Sequence, residues 1–388
     1  MTQEPNIFPY IARLLQGAEV VWKPLGEVAE LKRGTTITKK NSNEGIYPVI
    51  SGGQQPAYYI DQFNRDGETI TVAGSGAYAG FVMYWNEPIF VGDAFSIKAN
   101  EEQVLPRYIY HFLLSIQEKI HDLKSGGGVP HVYAKDVARF VIPLPSLSVQ
   151  QQIIRILDKF TQLEAELEAE LDCRLRQYEY YRNKLLSYEG NEVEWKTLGE
   201  VVEASKNVKW QNNKNTYDYI DLTSVCRNTG NILETLKIKA DNAPSRAQKI
   251  VQLDDVIFAT TRPSQMRIAL IPEVFDGQIA STGYCILRAD KVNVLPKWIF
   301  FVLSTTEFKK FIEENQSGTA YPAISDGKLK EFKIPLPPLE EQQRIATILD
   351  KFDTLVNSIG EGLPKEIALR RKQYEYYREK LLTFTNNQ

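Results

Sequence analysis

Apolar residues between 148 and 187 return at alternating steps of three and four: Ile153, Ile156, Phe160, Leu163 and Leu167. That spacing predicts one face of a long helix, and its 3.5-residue mean predicts a coiled-coil seam. From Leu163 the steps become uniform fours through Leu167, Leu171 and Leu175, in the run LEAELEAELDCR. Four residues turn a helix by about 400°, so each unit swings the row by about 40° and works against supercoiling. The stripe resumes at Tyr178, Tyr181 and Leu185. Ser148, three residues before Gln151, reads as the start of a capping box.

The same stripe recurs near the end of the chain, at Ile345, Ile348, Phe352, Leu355 and Ile359. Gly360-Glu361-Gly362-Leu363-Pro364 then interrupts it. Glycine suits a helix end and proline a helix start, so a break is expected, with Ile367, Tyr374, Tyr377 and Leu381 on a second segment. The surrounding words repeat as well: PLPSLSVQQQIIRILDKF…QYEYYRNKLL against PLPPLEEQQRIATILDKF…QYEYYREKLL. The offset is 192 at Pro143/Pro335 and 196 at Gln177/Gln373, so the second copy carries four extra residues. Seams this apolar need a partner. Antiparallel pairing within one chain is the expected solution, and pairing between chains the alternative.

Between the helices the period shortens toward two. YPVISGG, ETITVAG, GFVMYW and FSIKA read as strands, LPRYIYHFLLSIQEKIHDL (105–123) as a helix, SGGGVP as a loop and RFVIPLP as an exit strand. YDYIDLTSV, DDVIFAT, MRIALIP and GYCILRA repeat the plan, with LPKWIFFVLSTTEFKKFI (295–312) as the matching helix. WKPLGEVAELKRG and WKTLGEVVEASKN open the two domains. The expected organisation is an N-terminal arm at 1–21, with Ile7, Ile11, Leu14 and Leu15 at helical spacing. A first domain at 22–145, a helical spacer at 146–190, a second domain at 191–337 and a second spacer at 338–388 follow.

Composition adds limits. The 388 residues are 43% hydrophobic and 24% charged, with no apolar run near the roughly 20 residues of a membrane span. Cys173, Cys226 and Cys285 are scattered, which argues against a thiolate metal site. With no basic-then-apolar leader visible, a cytoplasmic setting is expected. The net charge of −3 does not announce a nucleic-acid binder. It is uneven, however: −2 over residues 148–189 and +3 over 195–334.

The duplicated words and the tetrad run resemble the two conserved regions of the specificity subunit of type I restriction–modification enzymes, from about Trp22 to Phe384. The resemblance implies an α+β fold of two similar α/β target-recognition domains with small β-rich sheets. Two long helices pairing as an antiparallel coiled coil would separate them, with pseudo-two-fold symmetry. It implies that each domain reads half of a split site on double-stranded DNA, and that two modification (methyltransferase) subunits dock on the helices. Restriction (endonuclease and translocase) subunits would join them. The subunit itself would be non-catalytic and would hold no cofactor, with S-adenosylmethionine, ATP and Mg in its partners.

There is no G-x-x-x-x-G-K-[ST] phosphate loop and no N/D-P-P-Y/F methylase motif. His111, His121 and His131 stand ten apart without metal-ligand company, although His131 in its glycine-rich loop can meet DNA. Gly74-Ser75-Gly76-Ala77-Tyr78-Ala79 fits a dinucleotide fingerprint, but a strand and not a helix is expected next. A polar hairpin tip that lets DNA approach Ser75, Gly76 and Tyr78 is the functional reading, and a plain turn the structural one. Asp326 with Glu331-Phe332-Lys333 is a faint nuclease-like pattern that reads as a solvated strand edge.

Basic stretches without carboxylates supply the DNA-contact candidates. In the first domain these are Lys32, Arg33, Thr35, Thr36, Lys39, Lys40 and Asn41, with Ser51, Gln54 and Gln55 suited to base edges. In the second they are Lys206, Lys209, Gln211, Asn212 and Lys214, then Thr260, Thr261, Arg262, Gln265 and Arg267. Tyr78 and Trp210 are expected to pack and not to stack on bases. Two rival readings remain: a stand-alone DNA-binding regulator, and a coiled-coil assembly protein whose domains bind protein.

Overall fold

The computed structural model describes residues 19–126, 128–188, 193–358 and 360–384. The arm residues Ile7, Ile11, Leu14 and Leu15, and the seam residue Ile359, lie outside them. The chain divides into two units, one of residues 1–166 with 368–388, the other of 167–367.

The first unit begins with β1 (Val21–Pro24), the single turn α1 (Leu25–Val28) and β2 (Ala29–Arg33). Strands β3 (Tyr47–Ile50), β4 (Tyr59–Ile60), β5 (Thr69–Ala73), β6 (Val82–Trp85), β7 (Phe90–Val91) and β8 (Ala94–Ala99) follow. One antiparallel sheet has the order β2-β8-β5-β6; a smaller one, β4-β3-β7, contains the parallel pair β3–β7. Alternation along β5 explains the layering. Ile70 and Val72 point to the core with Tyr108, Ile109 and Phe112. Thr71 turns the other way and accepts a hydrogen bond from Trp85 Nε1 at 2.8 Å.

The helix expected at 105–123 is broken: α2 (Pro106–Ser115) and α3 (Gln117–His121) meet at Ile116. Ser115 Oγ donates to the Phe112 carbonyl at 2.6 Å, competing with the helix ladder, and Gln117 is drawn out to the Gly80 carbonyl at 2.7 Å. After α4 (Ala134–Val137), exit strand β9 (Val141–Leu144) pairs antiparallel with β1, Trp22 opposite Pro143. Helix α5 (Leu147–Leu186) follows without a break for 40 residues. Its cap is Ser146 and not Ser148: Ser146 Oγ accepts from Val149 N at 3.4 Å, and Ser148 is exposed inside the first turn.

The second unit repeats this plan. It runs β10 (Glu194–Thr197), β11 (Val202–Glu203), β12 (Tyr217–Ile220), β13 (Leu236–Ile238), β14 (Ala247–Ile250) and β15 (Val256–Ala259). Strands β16 (Ile268–Leu270), β17 (Ile279–Ser281) and β18 (Tyr284–Ala289) complete its sheets. The order β11-β18-β15-β16 matches the first unit's antiparallel sheet, and β13-β12-β17-β14 matches the smaller one with an added strand. The helix expected at 295–312 is also split, into α6 (Pro296–Val302) and α7 (Thr306–Asn315). The Thr305 side chain caps α7 by accepting from Phe308 N. Then come α8 (Asp326–Lys330) and β19 (Lys333–Leu336), which pairs with β10, Trp195 opposite Pro335. Helix α9 (Leu339–Asn357) and helix α10 (Gly362–Leu382) are separated near the expected glycine–proline break, and Gly362 supplies φ +79° at the turn.

Candidate nucleic-acid interface

Five loops of the first unit meet where strands β2, β3, β5 and β7 end. Thr35 N donates to Val91 O at 2.9 Å and Gly92 N to Ile50 O at 2.8 Å. A Cβ on Gly52 would meet Ser75 O at 2.5 Å. Ser75 Oγ bonds Asp93, while Gly76 N reaches Pro130 O at 3.0 Å and Val132 N reaches Gly74 O at 3.1 Å. The segments carrying Thr35–Asn41, Ser51–Gln55, Ser75–Tyr78 and His131 are thereby tied into one surface. Lys39, Lys40 and Asn41 form an exposed single turn, and Thr35, Thr36, Gln54 and Gln55 are exposed. Tyr78 does not pack as expected: it sits on the loop's turn and is 48% exposed. Lys32 and Arg33 lie on edge strand β2, where Arg65 bonds the Arg33 carbonyl at 3.2 Å and blunts the edge.

In the second unit the side chains divide between use and display. Lys206, Lys209, Gln211 and Lys214 are exposed, and Asn212 turns the corner at φ +64°. Trp210 is seated, its Nε1 donating to Ala247 O at 2.9 Å with its ring edge-on to Tyr217. Thr260 is buried, with its hydroxyl on Gly283 O at 3.0 Å, and Arg267 donates to Val225 O and toward Gln265. Thr260 and Arg267 therefore hold the loop in shape and are not free to read bases, a correction that only the fold could supply. Thr261 pairs with Ala323, and Arg262 is exposed. Asp326 of the nuclease-like pattern accepts Lys249 Nζ at 2.7 Å and Glu331 pairs with Lys328, so no catalytic constellation forms there.

Sequence reading missed that these loops are the same loop. Ala73 N to Phe81 O, Ala79 N to Gly76 O and Gly76 N to Pro130 O have counterparts in Ala259 N to Arg267 O, Gln265 N to Arg262 O and Arg262 N to Pro322 O. The Ser125–His131 bridge returns as Ser317–Ala323. Residues 73–81 thus correspond to 259–267 although no residue type between the flanking Ala73/Ala259 pair and the loop's end is shared.

The helices are fastened to their domains by a duplicated glutamine. Gln150 is wholly buried, accepting from Leu105 N at 3.0 Å and donating to Gln103 O and Pro145 O. Gln342 does the same with Leu295 N, Asn293 O and Pro337 O. Ile153, Ile154 and Leu157, and their counterparts Ile345, Ala346 and Leu349, are buried against the adjoining domain core.

Farther along, Ile156, Phe160 and Leu163 are half-buried. Phe160 stacks on Tyr377 at 5.3 Å and Glu164 pairs with Arg371, so α5 and the end of α10 run antiparallel in the first unit. In the second unit buried Tyr178 stacks on Phe352 at 6.3 Å and Tyr181 stacks on the same ring at 5.9 Å. Leu167, Leu171, Leu185 and Ile348 are half-buried, and Ile367 is buried; in the first unit Tyr374 and Leu381 are buried. Leu175 is 40% exposed, because three tetrad steps from Leu163 rotate the row by about 120°. Leu355 is 37% exposed and Val356 takes its place, since α9 turns its stripe to the domain core.

One polar knot of the first unit has no counterpart among the described residues of the second. His111, wholly buried, meets Asp158 Oδ1 through Nε2 at 2.8 Å and the Tyr374 hydroxyl through Nδ1 at 3.1 Å, and Arg107 also bonds Asp158. A neutral imidazole satisfies both contacts, donating to the carboxylate and accepting from the phenol. Burial lowers the His111 pKa against the pull of Asp158, with Arg107 and Arg378 adding to the lowering. The unfolded chain therefore binds more protons than the native one below the ordinary value of 6.5, and stability falls as pH drops through that window. A slope of up to about 1.4 kcal/mol per pH unit is expected in urea unfolding between pH 7.5 and 5.5. His111→Phe, which copies Phe301 at the corresponding place in α6, should flatten it. Parallel slopes for both proteins would rule His111 out as the source.

Two repeated α+β units, each with loops at its strand ends and each clasped to a duplicated helix, define a tandem pair of one loop-bearing module. A family model for the type I restriction modification DNA specificity domain matches residues 18–174 and 191–369. The specificity subunit of the Escherichia coli type I restriction enzyme EcoR124I/EcoR124II is 31% identical over 97% of both chains. A putative type I restriction enzyme specificity subunit of Haemophilus influenzae is 29% identical, over 97% of this chain and 98% of its own. The crystal structure of a type I restriction–modification S subunit from M. genitalium shares the fold, with a TM-score of 0.61 at 18% identity over 96% of this chain and 98% of that one. The chain belongs to the type I restriction–modification DNA specificity family. It is a DNA-recognition subunit and not itself an enzyme. Among the described residues no helix is long and apolar enough to cross a membrane, and no group of three or more His, Cys, Asp or Glu is placed to hold a metal.

Proposed function

We propose that each β-rich domain reads one half of a bipartite site on double-stranded DNA, using loops 34–41, 51–55 and 74–78 in the first and 206–214 and 260–265 in the second. The recurrence of one loop frame at 73–81 and 259–267 carries this reading, because two copies of a reader need two pieces of sequence to read. Exposed lysines in these loops would neutralise phosphates and set register, and the polar tips would reach base edges. The helices would set the spacing between half-sites and dock two modification subunits, which would bring S-adenosylmethionine; restriction subunits would bring ATP and Mg. The assembly would act in the cytoplasm. Co-expression with the cognate modification subunit, followed by genome-wide mapping of methylated adenines, should return one bipartite motif. Methylation without such a motif would overturn the reading.

A further inference from the structure

The shared loop frame sets a glycine and an arginine at the same point. Gly76 has φ +85° and Arg262 φ +50°, both left-handed, and each donates its N–H to a proline carbonyl, Pro130 O at 3.0 Å and Pro322 O at 2.7 Å. Glycine adopts that conformation freely, whereas an L side chain adopts it at a cost, and the following Pro263 narrows the choice further. The frame has room for a side chain here, since a Cβ on Gly76 would meet nothing within 4 Å, yet glycine holds the same conformation without one. The second loop nevertheless holds arginine in the strained place, as it holds Met266 at φ +50°, and such strain clusters at functional sites.

The Arg262 side chain is exposed, and no carboxylate among the described residues pairs with it. Its guanidinium lies 5.3 Å from the centre of the Tyr321 ring, which is itself 73% exposed. Stacking on a ring steadies the fork without consuming its donors. Thr260 and Arg267, spent on carbonyls within the domain, fix the loop beneath it.

We propose that Arg262, steadied by Tyr321, is a specificity-determining residue that reads a guanine in the half-site of the second domain, through paired hydrogen bonds to O6 and N7. Gly76 leaves the first domain without an equivalent. The inference rests on the proposed DNA-reading function. Its test maps methylated adenines for the unmodified chain, Arg262→Gly and Arg262→Lys, each with the modification subunit. Arg262→Gly restores the sister loop's residue and relieves the backbone, and Arg262→Lys keeps the charge but not the fork.

Both variants should keep the bipartite motif and lose preference for guanine at one position of one half-site, discrimination falling roughly 10- to 100-fold with the other half unchanged. An unchanged motif, a motif restored by lysine, uniformly weaker methylation at an unaltered motif (a phosphate contact), or a half-site that never contained guanine would each overturn the inference alone. Absence of any bipartite motif from the unmodified chain would overturn the proposed function, and this inference with it.

Discussion

Insertion of one further Leu-Glu-Ala-Glu unit after Glu166 should move the two methylated half-sites apart while leaving both half-site sequences intact. Leu163–Leu175 falls where the chain passes from one unit to the other, since the division lies between residues 166 and 167. Four helical residues add about 6 Å of rise, against about 3.4 Å per base pair of DNA, so the unread spacer should grow by one to two base pairs. The inserted unit repeats the setting of residues 167–170, half-buried at Leu167 and exposed at Glu168 and Ala169, and no residue from 167 to 175 is wholly buried. Half-site sequences should hold because the loops that we assign to reading lie within the β-rich domains. Mapping of methylated adenines reads both quantities at once. An unchanged spacer would remove the helix as the measuring element, and an altered half-site would show that spacing and reading are not separable.

The long helices were legible because periodic burial leaves a periodic trace: three- and four-residue steps, a tetrad run and a glycine–proline interruption each have one geometric meaning. Leu175 and Leu355 show the limit of that trace. A stripe tells which residues share a face but not whether a second helix or the domain's own core covers it, and the core draws Val356 inward in place of Leu355. The domain loops were legible only as basic, polar chain. What makes 73–81 and 259–267 one structure is a set of backbone hydrogen bonds, and those constrain φ and ψ more than residue type. Thr260 and Arg267 could not be told from Arg262 in sequence, since their polar groups differ only in whether a carbonyl lies within reach. A large ring more often packs than stacks on a base, and Trp210 does pack, whereas Tyr78, given the same expectation, is 48% exposed on its loop.

Gln342→Ala should cost about 2–4 kcal/mol in urea unfolding followed by a probe in the second unit. The side chain is wholly buried and holds three backbone groups: the N–H of Leu295 at 2.9 Å and the carbonyls of Asn293 and Pro337 at 3.1 and 2.9 Å. Alanine would strand all three away from water, and each buried polar group left unpaired costs about 1–3 kcal/mol before neighbours relax or water enters. Gln150→Ala should cost the same amount in the first unit, because Leu105 N, Gln103 O and Pro145 O form the same cradle. The control lies one residue away. Gln343 is exposed, and among the described residues its side chain bonds only Thr347 on its own helix, so Gln343→Ala should stay within about 0.5 kcal/mol. The motif reads as adjacent glutamines, and only the turn of the helix decides which is buried. Equal costs at 342 and 343 would mean that the clasp adds nothing beyond helix propensity. A large cost at 342 and 150 alone would identify the fixed joint through which each domain is held on its helix, and a helix can set the spacing of two readers only if those joints do not yield.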